Sequence, residues 1–468
     1  MKVTILGSSK SGFSAAKLAK TIGFDVFVSE YSNDNSYYSE IEYYKINNIQ
    51  FEFGGHTEKI LDCDFAITSP GIYSESFPIK LLSENNIQII SEVEFAYQQL
   101  KYKNNIIAIT GTNGKTTTTS LIAHIFKNAK KNIYVCGNIG IPFSDCVIDI
   151  NELNNSEADN SVIIIETSSY QLDRIVSFTP KVGIFLNISP DHLTYHKTFQ
   201  HYLDTKWKIS LNMNENNLLI LNKDDVTLMG KLNSIPKEEL RFNVSLLSLE
   251  DKNTNCYVDG GEIITNNVLY FDSFLNKFSS INNIEELMNT VNLSLPGVHN
   301  IYNSLAAILA SKAFEIQNED IRDALMSFQG VEHRLELVSI YNNIKFINDS
   351  KATNVNSTWF ALNSYDRPII WIAGGRGDNN NYDELNPIVK KRVKHIISIG
   401  EESNNIFNHF STFTNVTKVE NLNEAIELSL NFASEYDVVL FSPACKSFDM
   451  FANFEHRGEE FKKIINNL

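Results

Sequence analysis

Short apolar runs that alternate with helical patterns constrain this chain more than any other feature. The runs at residues 3–6, 106–110, 161–166 and 437–444 each end in a polar or Gly-rich turn, and helical spacing of apolar residues recurs between such runs. This alternation is typical of parallel sheets whose strands are joined by helices. We therefore predict an α/β fold in which ligand groups gather at the carboxyl ends of the strands.

The length of 468 residues, at about 150 residues per domain, suggests three domains in series. We predict a Rossmann-like N-terminal domain over 1–100, a central P-loop ATPase-type parallel sheet over 101–330, and a Rossmann-like C-terminal domain over 331–468. The stretch from 222 to 290 is polar and weakly periodic, and only Gly260-Gly261, a predicted hairpin turn, can be interpreted within it.

Charge and cysteine content exclude several classes of protein. The formal net charge is -16 without a segregated basic stripe, which argues against a nucleic-acid partner. The five cysteines are scattered, which argues against a disulfide framework and a zinc site. No apolar stretch has the length of a membrane span, so we expect no membrane insertion and a cytoplasmic location.

The strongest local signal is a Gly-rich loop between a β-branched strand and a helical pattern. Such a loop presents backbone N–H groups, a helix N-terminus and one Lys to the same phosphate. Ile109 stands where the general phosphate-loop pattern has its first Gly, and a structural turn with an incidental Lys is the alternative. The predicted phosphate-binding residues are Gly111, Thr112, Asn113, Gly114, Lys115, Thr116 and Thr117.

Two further strands deliver polar side chains to the same predicted edge. Glu166 follows an apolar strand directly, and its carboxylate suits a metal ion or, alternatively, a helix cap. His192 follows the strand GIFLNIS and, taken alone, is equally consistent with an ordinary surface or core histidine. Lys206, taken alone, reads as part of a solvated helix face.

Six motifs, in this order, resemble those of the Mur ligase family of cell-wall amide-forming enzymes. They are GTNGKT at 111, ETSSYQL at 166, DHL at 191, GVHN at 297 with Asn303, EHR at 332 and DSKATN at 349. They extend over nearly the full chain. GNIG at 137 and the tail SPACKSFDMFANFEHRGEEF at 442 resemble the D-glutamate-adding members of that family.

The resemblance implies an ATP-driven ligation, in peptidoglycan precursor synthesis, of D-glutamate to UDP-N-acetylmuramoyl-L-alanine. The substrate carboxylate would attack the γ-phosphate of ATP to give an acyl phosphate, which the amine of D-glutamate then attacks. Cations must neutralise the two anions that meet in the first step. The resemblance supplies Lys115, Lys351 and two Mg²⁺ ions for this task, and we expect a monomer.

The resemblance also implies a role for individual residues. The expected catalytic residues are Lys115, Glu166, His192, Lys206, Asp349 and Lys351. The expected metal ligands are Thr116, Glu166, His192 and a carbamylated Lys206, since a free ammonium cannot bind a cation. Asn300, Asn303, Arg334 and Asp349 are expected around the nucleotide. The expected substrate-binding residues are Lys10, Ser11, Gly12, Gly71, Asn138, Ser168, His192, Lys351, Thr353, Ser447, Phe448 and Phe454, although structural turns at the N-terminal positions and core packing of the two Phe rings are alternatives.

The chain departs from the family pattern at two positions. Asp378 stands where the pattern Gly-Gly-x-x-Lys-Gly has its Lys, and we expect Arg376 to replace that Lys as the cation for the side-chain carboxylate of D-glutamate. Lys446 stands where the family often has a small residue.

Other functions are compatible with parts of the sequence. A regulatory P-loop ATPase would need the loop at 111 but neither the DSK motif nor the tail. A dinucleotide-dependent oxidoreductase is supported only by GSSKSG at residue 7, in which Ser9 replaces the middle Gly of the fingerprint. Another Mur-family or folylpolyglutamate-type ligase is the nearest rival within the family.

Overall fold

A computed structural model describes residues 1–33, 37–103, 105–272, 275, 277–378 and 380–468. The chain divides into two compact units, one formed by residues 1–292 and 302–327 and the other by residues 293–301 and 328–468. The first unit holds two sheets and the second holds one.

The N-terminal sheet of the first unit is parallel, with strand order β3-β2-β1-β4-β5. Its strands are β1 Lys2–Leu6, β2 Asp25–Glu30, β3 Gln50–Phe53, β4 Phe65–Thr68 and β5 Gln88–Ser91, and its helices are α1 Lys10–Thr21, α2 Tyr38–Ile46, α3 Phe77–Glu84 and α4 Glu92–Gln99. Small residues on α1, among them Ala15, Ala16 and Ala19, are fully buried, so this helix packs closely on the sheet.

The central sheet of the first unit has the order β14-β13-β12-β11-β10-β9-β6-β8-β7. Its strands are β6 Ile106–Thr110, β7 Asn132–Gly137, β8 Ser161–Glu166, β9 Val182–Phe185, β10 Leu218–Asn222, β11 Asn243–Ser248, β12 Cys256–Asp259, β13 Glu262–Asp272 and β14 Lys277–Asn289. The helices of this part of the chain are α5 Lys115–Asn128, α6 Phe143–Glu152, α7 Asn155–Asp159, α8 Ser169–Asp173, α9 Leu193–His196, α10 Phe199–Trp207, α11 Val226–Asn233, α12 Val298–Ala313 and α13 Asn318–Ser327. Strands β6 and β8 are fully buried and pair in parallel, which places their carboxyl ends side by side.

The stretch from 222 to 290 extends the central sheet. Its strands β12, β13 and β14 pair antiparallel, and Gly260-Gly261 forms the turn between β12 and β13, as predicted. β14 is an edge strand with mostly exposed side chains, which explains why the stretch lacks a strong apolar periodicity.

The second unit contains a six-stranded sheet with the order β15-β16-β20-β17-β18-β19. Its strands are β15 Glu336–Tyr341, β16 Ile344–Asn348, β17 Ile369–Gly374, β18 Val393–Ile399, β19 Val416–Lys418 and β20 Val438–Phe441, and its helices are α14 Val355–Asn363, α15 Asn386–Arg392, α16 Ser403–Phe410, α17 Leu422–Phe432 and α18 Phe454–Asn466. All neighbours pair in parallel except β15, which is antiparallel to β16.

The predicted α/β fold with three sheets in series is confirmed, and the antiparallel strands β13, β14 and β15 add to it. The domain boundaries at residues 100 and 330 stay predictions. All five cysteines are free thiols. Among the described residues, none of the helices combines the length and apolarity of a membrane span.

The close approach of α1 to the turn after β1 can be tested at Gly12. A methyl group at Gly12 would lie 2.0 Å from the carbonyl oxygen of Gly7, so we expect Gly12→Ala to lower the free energy of unfolding of the first unit by about 1–3 kcal/mol. Gly230 lies in α11 with open space around it, and Gly230→Ala should instead raise stability by about 0.5–1 kcal/mol. Urea unfolding of both variants checks this, and equal effects would contradict it.

Candidate active site

The loop between β6 and α5 is built around two glycines with positive φ. Gly111 has φ 148° and Gly114 has φ 85°, and α5 begins at Lys115 directly after them, as the sequence predicted. A side chain at Gly114 would meet the Asn303 carboxamide oxygen at 2.4 Å. The loop is therefore a tight backbone cradle at the start of a 14-residue helix, an arrangement that suits an anion.

Asn187 holds the middle of this loop. It follows β9, and its carboxamide accepts a hydrogen bond from the backbone N–H of Asn113 at 2.9 Å and donates one to the Asn113 carbonyl at 3.1 Å. Asn187 was not predicted from the sequence, because only the pairing of β9 with β6 brings the two segments together. Its position directly after an apolar strand was the available signal.

Two lysines donate to one carbonyl oxygen of the loop. Lys115 Nζ lies 2.9 Å and Lys206 Nζ 2.8 Å from the Gly111 oxygen. Lys206 is only 1% exposed, so the hypothesis of a solvated helix face is wrong for this residue. Burial, and next the charge of Lys115, lower the pKa of Lys206 well below its ordinary value.

Glu166 lies at the carboxyl end of β8, beside the loop. One carboxylate oxygen accepts a hydrogen bond from the Asn138 side chain at 3.0 Å. The other is buried and has no hydrogen-bond partner among the described residues, and the same holds for the Thr117 hydroxyl. An orphaned buried carboxylate oxygen beside a phosphate-type loop fits a divalent cation, which prefers oxygen ligands.

His192 adopts a left-handed backbone conformation, with φ 53°, immediately before α9. Its Nδ1 lies 3.1 Å from the Tyr170 hydroxyl and its Nε2 lies 3.6 Å from the Asp191 carboxylate. A metal-binding imidazole is usually oriented by polar neighbours of this kind. Ser168, another predicted site residue, is the N-cap of α8 and forms a capping box with Gln171.

His196 is a buried residue that the sequence analysis missed. Its Nε2 lies 2.9 Å from the hydroxyl of Ser169, the first residue of α8. Burial lowers the pKa of His196 to about 4, so the ring is neutral at neutral pH. Its spacing of four residues after His192 was the only signal in the sequence.

The N-terminal sheet carries the predicted Lys10, Ser11 and Gly12 at the start of α1, and Gly71 in the turn after β4. Here the sequence analysis missed Glu30, which ends β2. Its carboxylate accepts hydrogen bonds from the backbone N–H groups of Ser8 and Ser32, at 2.7 and 2.8 Å. This acidic side chain therefore shapes the first turn.

A cavity in the second unit brings together several predicted residues. It is lined by Arg334, Asp349 and Lys351, together with His299 and Phe360. The Asp349 carboxylate accepts hydrogen bonds from the Ser442 hydroxyl at 2.7 Å and from the Leu335 backbone N–H at 3.2 Å. Burial nevertheless raises the pKa of Asp349 to about 7.

Three further predicted residues have hydrogen bonds within their own units. Asn303 accepts a hydrogen bond from the Thr118 hydroxyl at 3.2 Å in the first unit, whereas Asn300 donates to the Pro296 carbonyl at 2.7 Å in the second. Thr353 donates its backbone N–H to the Lys351 carbonyl at 2.9 Å.

The two Phe rings differ in exposure. Phe448 is 59% exposed, so core packing does not explain it. The Phe454 ring faces the Lys351 ammonium at 5.2 Å.

Arg457 lies in the tail motif, but no role was predicted for it from the sequence. It is 1% exposed, and it donates to the Ser350 carbonyl at 2.7 Å and to the Cys445 carbonyl at 3.0 Å. One buried guanidinium thereby ties the DSK loop to the tail loop that carries Ser447.

Three family models match consecutive parts of the chain. They are the MurD N-terminal domain over residues 2–77, the Mur ligase middle domain over 109–311, and the Mur ligase, glutamate ligase domain, over 333–445. The chain belongs to the Mur ligase family, which confirms the resemblance.

Two relatives match along the whole chain. A protein named UDP-N-acetylmuramoylalanine--D-glutamate ligase from Clostridioides difficile (strain 630) is 39% identical, and the match covers 100% of this chain and 98% of that protein. A protein of the same name from Bacteroides fragilis (strain YCH46) is 37% identical, with 100% of both chains covered.

Solved structures share the fold. UDP-N-acetylmuramate-alanine ligase MurC from Thermotoga maritima matches with a TM-score of 0.60 at 19% identity, covering 100% of this chain and 99% of that one. MurF ligase from Thermotoga maritima, solved in complex with ADP, matches with a TM-score of 0.55 at 14% identity, covering 94% and 95%.

The raised pKa of Asp349 predicts a pH-dependent stability of the second unit. An unfolded Asp titrates near pH 4, so the native state holds its proton more tightly, and this stabilisation is lost as the pH rises from about 4 through about 7. We expect the free energy of unfolding of Asp349→Asn to rise by up to about 4 kcal/mol relative to that of the unsubstituted protein between pH 4 and pH 7. Urea unfolding at pH 5 and pH 8, followed by tryptophan fluorescence, measures the difference.

Ser442→Ala serves as the comparison variant for this experiment. The Ser442 hydroxyl stabilises the carboxylate form of Asp349, so its removal should raise the pKa of Asp349 further and extend the loss of stability to higher pH. Parallel pH profiles for the unsubstituted protein and Asp349→Asn would contradict the prediction.

Proposed function

We propose that this chain is an ATP-dependent ligase that adds D-glutamate to UDP-N-acetylmuramoyl-L-alanine through an acyl phosphate. The observation that carries the proposal is its full-length similarity, at 35–39% identity, to relatives named for that ligation. The Gly-rich loop, Lys115 and the orphaned Glu166 oxygen are consistent with it, as is the ADP bound to the MurF relative.

In the first step the acceptor carboxylate attacks the γ-phosphate and ADP leaves. The N–H groups of the loop and Lys115 would hold the phosphates, since the Lys115 ammonium already faces the inside of the loop. In the second step the amine of D-glutamate attacks the acyl carbon and phosphate leaves. Phe448 and Ser447 are proposed beside the amino acid, and Lys351 beside the acyl phosphate.

Two Mg²⁺ ions would supply positive charge for the phosphoryl transfer when they are bound. Thr116 and Glu166 are proposed to hold one ion, and Glu166, His192 and Lys206 the other. Lys206 needs a change of charge for this role. It lies buried beside Lys115, and reaction of its neutral amine with CO₂, with loss of a proton, would give a carbamate whose oxygens can bind a cation.

Substrate selectivity tests the proposed function. Phosphate release should require D-glutamate and should not occur with L-alanine, L-lysine or meso-diaminopimelate, each offered with its matched UDP-muramoyl acceptor. Lys115→Ala should lower kcat at least about 100-fold, because a charge at the transferred phosphate is lost. Lys237→Ala removes an exposed lysine of the same unit and should leave the rate unchanged. No release with D-glutamate would reject the proposal.

The carbamate of Lys206 can be tested without an activity assay. Protein equilibrated with ¹³C-bicarbonate should show a carbamate carbon resonance that Lys206→Met lacks. Lys208→Met, which removes a neighbouring lysine bonded to Asp173, should keep the resonance. A spectrum without this resonance would show that Lys206 is not carbamylated.

A further inference from the structure

Two positions at which this chain departs from the family pattern lie side by side in the second unit. Lys446 Nζ is 2.8 Å from the Asp378 carboxylate. The backbones nearby are paired as well, because Arg376 and Lys446 exchange N–H to carbonyl hydrogen bonds of 2.8 and 3.0 Å. The position at which the family pattern has a Lys is therefore occupied by an acid here, and a lysine reaches it from the tail loop.

Arg376, the residue that the sequence suggested as the replacement cation, is engaged elsewhere. Its Nε and Nη2 donate to the two carboxylate oxygens of Glu401, at 3.0 and 2.9 Å. This paired geometry uses the edge of the guanidinium that best matches a carboxylate. A second carboxylate would be left with the Nη1 side of the guanidinium, where the charge of Glu401 weakens the attraction.

Lys446 directly precedes Ser447 in the tail loop, which Arg376 does not. An ammonium has three donors, of which one faces Asp378. Both side chains are about half exposed, so the pair is weak and can share its ammonium with another anion. The next two residues are the buried Ser447 and the exposed Phe448, both proposed to lie beside the amino acid.

We propose that Lys446 binds the side-chain carboxylate of the incoming D-glutamate, with Asp378 orienting the ammonium. This inference rests on the proposed function, in which the amino acid has a second carboxylate that takes no part in the reaction. A cation next to Ser447 then distinguishes an acidic amino acid from its amide.

Steady-state kinetics of the full-length enzyme tests the assignment. Lys446→Ala should raise the KM for D-glutamate about 10- to 100-fold, the effect of one lost charge-assisted hydrogen bond, with little change in kcat or in the KM for ATP. Its preference for D-glutamate over D-glutamine should fall by a similar factor. An unchanged kcat also shows that the variant is folded.

Two further variants sharpen the result. The double variant Asp378→Lys with Lys446→Ala restores the family pattern. Its KM for D-glutamate should fall back close to that of the unsubstituted enzyme, and most of the preference for D-glutamate should return. Lys463→Ala removes another exposed lysine paired with an acid in the same unit and should change nothing.

The outcomes separate the two proposals. If the unsubstituted enzyme uses D-glutamate but Lys446→Ala keeps its KM and its preference, the role of Lys446 is rejected and the proposed function stands. If Arg376→Ala alone raises the KM, the cation is Arg376 instead. If the unsubstituted enzyme ligates another amino acid and not D-glutamate, both proposals fail.

Discussion

The Lys115 and Lys206 side chains both donate to the Gly111 carbonyl oxygen, and the proposed chemistry of the site depends on this pair. Lys115 begins the helix after the loop, Lys206 lies 91 residues later in α10, and the Nζ atom of each lies within 3 Å of that oxygen. Like charges this close in a buried place destabilise the protein unless anions neutralise them or one group loses its charge. The site therefore favours the binding of phosphate or carboxylate groups, or the conversion of one lysine to a carbamate. The nearby Glu166 has one carboxylate oxygen without a hydrogen-bond partner among the described residues, and this oxygen can bind a cation.

The parallel sheet explains how distant residues reach this place. The ends of β6, β8 and β9 lie next to one another, and each contributes one part: the loop after β6 forms the cradle, Glu166 ends β8, and Asn187 follows β9. The backbone of the cradle is fixed by Asn187, and the Asn303 carboxamide leaves no room for a side chain at Gly114. Rigid neighbours of this kind hold donors in place before a ligand arrives, which lowers the cost of binding and of reaction.

Much of this could be predicted from the sequence, because strands, their carboxyl ends and the glycines of the loop depend on local patterns. Strand 161–166 and the start of α5 at Lys115 follow directly from apolar runs and loop chemistry. Lys206 could not be placed from composition, since its burial depends on which face of α10 meets the loop. Asn187, His196 and Arg457 were missed for the same reason: their roles come from contacts with residues far away in the sequence.

The pair of Lys446 and Asp378 shows a different limit of reading a sequence position by position. Each residue alone is a departure from the family pattern, and each alone would suggest a weakened site. In space, the Lys446 ammonium lies beside residue 378, the position at which the family pattern has its Lys. The paired backbones of Arg376 and Lys446 hold the two loops together in this arrangement. A binding site requires a charge at a given place in space, whichever sequence position supplies it. A motif can therefore lose its lysine while the site keeps its cation.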